Sequence, residues 1–160
     1  MKKSHMFLAT AAALGVAMFP TQINQAARGL RNNNPLNIKE GPDGGAKWEG
    51  EHELDLDPTF EEFITPVHGI RAGARILRTY AVKYGLDTIA GIIARWAPTS
   101  ENDTQNYINF VAKKAGISAN EKLNDDTYPA VISAMIDMEN GSNPYTYDEI
   151  KQGFEWGFYG

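Results

Sequence analysis

The chain has 160 residues and 17.7 kDa, with 42% hydrophobic and 22% charged residues, which fits one globular domain around one core and not a disordered chain. It has no cysteine, so disulfides, thiolate chemistry and Cys-ligated zinc are excluded. Fifteen basic against twenty acidic residues give a net charge of −5, a poor balance for binding nucleic acid through its phosphates.

Lys2 and Lys3 precede an Ala-rich apolar run from Met6 to Phe19, and small residues follow at Gln25-Ala26-Ala27. This is the plan of a secretory signal. Residues 1–26 are expected to be a signal peptide or apolar leader, and 27–160 a single domain. The alternative is an amphipathic or buried N-terminal helix in a protein that stays inside. The run is shorter than the roughly 20 residues a bilayer span needs, so no stable span is expected once the leader is removed. A periplasmic, secreted or virion-associated location follows.

Residues 31–63 are rich in Asn, Gly, Asp and Pro and predict loops with a small hairpin. Thr65-Pro66 opens a long helix in which Ile70, Ala74, Leu77 and Ala81 recur at helical spacing up to Gly85. Asp87 is expected to cap a second helix through Ile89, Ile92, Ile93 and Trp96. A third begins near Asp103 or Thr104, carries Tyr107, Ile108 and Val111, and ends at Gly116. A fourth runs from about Asp126 to Asn140, with Gly141 after it, and a short last helix follows Thr146. The fold class is mainly α.

Glu139 ends the apolar fourth helix. A carboxyl half-buried there keeps its proton and can serve as a general acid; the alternative is an exposed glutamate on a last helical turn. His5, His52 and His68 form no HExxH motif, and His68 fits a structural or cap-region role. The chain has neither a Gly-x-Ser-x-Gly elbow nor a Walker loop. Asp55, Asp57 and Glu61 lack the Gly and terminal Glu of an EF-hand loop, so no metal is expected; a charged, solvated edge strand is the better account of that stretch. No cofactor is expected.

Three segments carry a resemblance. Glu139-Asn140-Gly141-Ser142-Asn143-Pro144 resembles the Glu-Ser-Gly-x-x-Pro helix end of lysozyme-like lytic transglycosylases. Asn32-Asn33-Asn34-Pro35-Leu36-Asn37-Ile38 resembles a segment of bacterial cell-wall glucosaminidases, and Trp96-Ala97-Pro98 through Tyr107 resembles their Tyr-Ala-Thr-Asp-x-x-Tyr segment. From Arg28 to Tyr145 the chain is also similar to a family of small phage-type virion and prophage proteins. The resemblance implies a lysozyme-like α+β domain with its small β-hairpin region near the start. It makes Glu139 the catalytic acid and Tyr107 a residue lining the cleft. The motif order is reversed relative to the usual one. A circular permutation would account for this; the alternative is a coincidence of short motifs.

The resemblance implies cleavage of peptidoglycan glycan strands, by a lytic transglycosylase or a glycoside hydrolase, in a protein expected to be monomeric. Asn37, Trp48, Trp96, Asn102 and Asn140 are the candidates for holding substrate. One Glu suffices if the sugar's own hydroxyl closes a ring; Glu49 or Glu51 could supply a second carboxylate if hydrolysis needs two. The alternative function is a non-catalytic glycan-binding or virion structural module with the same fold.

Overall fold

The computed structural model describes residues 28–42, 47–54, 56–100 and 102–160; the expected leader, its cleavage near Ala26, and Asp55 lie outside them. Thr65 starts the longest helix, α1 (Pro66–Tyr84): its hydroxyl accepts the His68 N–H, and Pro66 occupies the first turn, where no N–H is needed. Gly85 ends it at φ 65°, a left-handed conformation in which its N–H reaches back to the Ala81 and Tyr80 carbonyls. Thr88, not Asp87, caps α2 (Ile89–Trp96) by accepting the Gly91 N–H. Asp87 is committed elsewhere: its carboxylate pairs with Lys122 at 3.2 Å and its carbonyl takes the Leu123 N–H.

Asp103 caps α3 (Thr104–Ala115), which Gly116 ends. The fourth helix, α4 (Tyr128–Asn140), starts later than the expected Asp126. The Asn124 side chain accepts the Asp126 and Thr127 N–H groups, forming a turn that postpones the helix to Tyr128-Pro129. The last helix, α5 (Tyr147–Tyr159), starts after Thr146 as expected, where Thr146 and Glu149 form a reciprocal capping box, and at 13 residues it is longer than expected.

The apolar residues of α4 point in every direction, as suits a central helix: Val131, Ile132, Met135, Ile136 and Met138 are all buried. This helix packs against α3 and α5, and the same core takes in Ile89, Ile92 and Ile93 of α2, Ile108 and Val111 of α3, and Leu36 and Ile38 of the N-terminal segment. α5 lies along α1, and Gly153 and Gly157 mark the close approach. A β-carbon at Gly157 would fall 2.5 Å from both the Ala74 β-carbon and the Arg71 carbonyl.

The expected hairpin in 31–63 is not a regular one. Isolated bridges join Lys39 to Phe60 and Glu51 to Phe63, and among the described residues of 48–57 the expected edge strand is reduced to the bridge at Glu51. Asn33 at φ 51° and Asn37 at φ 49° are left-handed, a conformation that interrupts a strand and that Asn tolerates better than most residues. Side-chain amides take over the work of a ladder. The Asn34 amide donates to the Ile38 and Glu61 carbonyls at 2.8 and 2.9 Å, its oxygen accepts the Ile38 N–H, and Asn33 donates to the Phe63 carbonyl at 3.0 Å. The described chain is thus mainly α, and none of its helices is long and apolar enough to cross a membrane.

Gly157→Ala tests the helix contact. Alanine is the better helix former by about 1 kcal/mol, yet the crowding at Ala74 and Arg71 should reverse the sign and destabilise the protein by about 1–3 kcal/mol. Urea unfolding measures it; a more stable variant would mean that α1 and α5 are not in close contact.

Candidate functional site

Gly141 stops α4 with its last turn facing inward, so Glu139 is only 1% exposed. Three segments bring donors to its carboxylate. Tyr107 of α3 donates its hydroxyl to Oε1 at 2.8 Å, and Trp96, the last residue of α2, donates its indole N–H to the same oxygen at 3.2 Å. Asn37 donates its amide to Oε2 at 3.3 Å across 102 residues of sequence. The Thr104 hydroxyl bonds the Ala97 carbonyl, tying the end of α2 to the start of α3 so that Trp96 and Tyr107 reach one oxygen together.

No lysine or arginine among the described residues pairs with Glu139. Burial therefore dominates: it pushes the carboxyl up to about 7, against the three donors that favour the charged form. Near neutral pH the group is poised between acid and carboxylate. Oε1 is pinned as an acceptor by two donors, so the proton of the neutral acid belongs on Oε2. Burial, and then the neighbouring Glu139 charge, drives the Tyr107 hydroxyl well above its ordinary value, so it stays a donor. The arrangement can hand over one proton and take it back.

The other candidates fall into two groups. Asn140 clamps the Asn-rich segment to α4, its amide donating to the Pro35 carbonyl at 2.7 Å and the Ile136 carbonyl at 2.9 Å. Its oxygen is buried with no donor, beside Gly29, where any β-carbon would run into the side-chain oxygens of Asn37 and Asn140. Asn102 donates to the Pro98 carbonyl and braces the loop after α2.

Trp48, Glu49 and Glu51 are bound away from Glu139. Glu49 pairs with Arg71 at 2.6 Å, Glu51 accepts the Trp48 backbone N–H at 2.9 Å, and the Trp48 indole donates to Glu61 at 3.1 Å. Glu61, read from sequence only as a weak cation ligand, is a second buried carboxyl at 1% exposure. Burial and then the Glu40 carboxylate push its pKa upward. The available signal was its position between Phe60 and Phe63, both buried: a spacing of three breaks strand alternation, so a residue between them can turn inward. Among the described residues no three His, Asp or Glu side chains gather as a metal site needs. His68 sits in the α1 cap, its ring 2.7 Å from the Thr65 hydroxyl.

The raised acidity constant carries a stability consequence. A carboxyl near 7 in the folded chain and near 4.5 unfolded stabilises the fold fully below about pH 4.5, and that contribution is lost as pH rises through about 7. Glu139→Gln should therefore melt close to wild type at pH 5 and above it at pH 8.5, by on the order of 3 kcal/mol. Equal melting differences at both pH values would mean that Glu139 is charged throughout.

No protein-family model matches the chain. Protein P5 of Pseudoalteromonas phage PM2 is 89% identical over 160 residues, covering all of both chains. The chain belongs to the family of that phage protein.

Proposed function

We propose that the chain cleaves the glycan strands of bacterial peptidoglycan, with Glu139 as the single general acid/base, in a lysozyme-like fold whose motifs are circularly permuted. The observation that carries this reading is the convergence of Asn37, Trp96 and Tyr107 on one buried, proton-holding carboxyl. Together with Glu139, these residues represent the three segments whose motifs resemble the cell-wall enzymes. The phage relative fits a virion-associated protein.

In this mechanism Glu139 Oε2 gives its proton to the glycosidic oxygen as that bond breaks, leaving an oxocarbenium-like sugar and a carboxylate. The three donors stabilise the new charge without rearranging. The carboxylate then takes the proton of the attacking hydroxyl, either the sugar's own, closing an anhydro ring, or that of water, giving a reducing end. Glu49 and Glu51 are engaged with Arg71 and Trp48, which favours the one-carboxylate route.

A non-catalytic glycan-binding or virion structural module is the second reading. The near-complete enclosure of Glu139 favours it, since a substrate must reach Oε2.

Purified cell walls and mass spectrometry of the released fragments separate the readings. Wild type should release soluble glycan, Glu139→Gln should lose about 10²–10⁴ in rate while still binding walls, and anhydro ends should dominate. Because the acid form is required, the rate should fall about tenfold per pH unit above about 7. Walls left intact by a folded wild-type protein would make the structural module the better account.

A further inference from the structure

Arg28 and Arg31 stand three residues apart on the helical turn 28–31, and both line a cavity of about 440 Å³ that the chemistry at Glu139 does not use. Asn32, Asp57 and Glu62 form other walls, and Leu56, 76% exposed, lies at its edge.

The acidic groups of this cavity already have partners. Asp57 accepts the Asn32 amide at 2.9 Å and the Thr59 N–H at 3.1 Å, and pairs with Nε of Arg28 at 3.4 Å. Although burial opposes them, those partners hold its carboxyl below the usual range. Oε2 of Glu62 takes the backbone N–H groups of Leu56 and Asp57. The cationic groups have capacity left. Arg28 pairs with Asp57 through its Nε and lies 5.4 Å from the centre of the Phe60 ring, contacts that steady its guanidinium beside the cavity it lines. Arg31 is exposed and makes no hydrogen bond or ion pair with any described residue.

We infer that the cavity between the 28–31 turn and the 56–62 loop binds a carboxylate-bearing peptide, with Arg31 and the outer edge of Arg28 as its donors. Planar guanidinium forks match carboxylates, and a guanidinium already held by Asp57 loses little freedom on binding. The volume is that of a ligand pocket; a lone anion, filling a few tens of Å³, would leave most of it empty. The chain as a whole is acidic, so a purely anionic ligand is repelled at long range. A mixed-charge peptide is not, and Oε1 of Glu62 can accept its ammonium group. The assignment rests on the peptidoglycan reading, because the stem peptides borne by those glycan strands are of this class; it adds a peptide subsite to that reading.

A sugar-free tetrapeptide with free carboxylates and a free amine, and the same peptide with every carboxylate amidated, can be titrated into the full chain by calorimetry. The acid form should bind in about the millimolar range or tighter, and the amide at least about tenfold more weakly. Arg31→Gln should cost about tenfold in affinity for the acid form with an unchanged melting temperature, and Glu139→Gln should bind as wild type does. Equal binding of acid and amide, no binding of the acid form at about 10 mM, or an Arg31→Gln variant with wild-type affinity overturns the assignment. If Glu139→Gln still cleaves walls, the glycan mechanism falls and this titration keeps its meaning. If Glu139→Gln is inactive and the peptide does not bind, the peptide subsite alone falls.

Discussion

A carboxyl group buried with no cation beside it among the described residues is the constraint around which this fold is arranged. Taken out of water, an unpaired carboxylate is prohibitively unfavourable unless donors surround it or it takes a proton. Both remedies apply at Glu139. Donors arrive from α2, α3 and the 32–39 segment, and each needs its own support. Thr104 ties Trp96 to Tyr107, the left-handed Asn37 turns its amide inward, and Asn140 fastens Pro35 to the end of α4. Gly29 must lack a side chain for Asn37 and Asn140 to occupy their places. A good part of the architecture outside the α1–α5 pair is thus explained by keeping three donors within reach of one carboxyl.

The arrangement gives up stability at high pH for a buried carboxyl that holds its proton near neutrality. Three donors alone would lower the acidity constant of Glu139, but burial outweighs them and keeps the proton available near neutrality. Glu61 repeats the pattern on the other loop, where burial and the Glu40 carboxylate act in the same direction. Both groups weaken the fold as pH rises, the reverse of the usual surface carboxylate, whose pairing weakens the fold as pH falls. The same polar N-terminal half also carries the arginine-lined cavity, so the chemistry-bearing groups gather on the irregular segment and on the helix ends it covers, while α1 and α5 serve as support.

Much of the helical frame was legible, because its boundaries are set by local chemistry. Thr65-Pro66, Gly85, Gly116 and Gly141 act through their own backbones, and the structure uses each of them as the spacing predicted. Errors arose where one residue had two possible partners: Asp87 serves Lys122 and leaves the cap to Thr88, and Asn124 delays α4. The hairpin failed for a related reason. Polar alternation resembles a strand, yet Asn33 and Asn37 adopt left-handed backbones and the Asn33 and Asn34 amides substitute for a ladder. Of the candidate site, Glu139, Tyr107, Trp96 and Asn37 do meet, whereas Trp48, Glu49, Glu51, Asn102 and Asn140 are engaged elsewhere. Contacts spanning a hundred residues have no local signature, so the resemblance of short motifs was the only guide to them. The inward turn of Glu61 had no motif behind it, only the spacing of Phe60 and Phe63.

The acidity constant of Glu139 itself is the most direct measure of whether this carboxyl is the proton-holding centre of the molecule. It can be read from the side-chain carboxyl carbon in a ¹³C NMR titration of the labelled full chain, assigned by the resonance that Glu139→Gln removes. A midpoint near 7 is predicted. A midpoint at or below about 4.5, the ordinary range of an exposed glutamate, would contradict the account, because a group charged at every working pH has no proton to give.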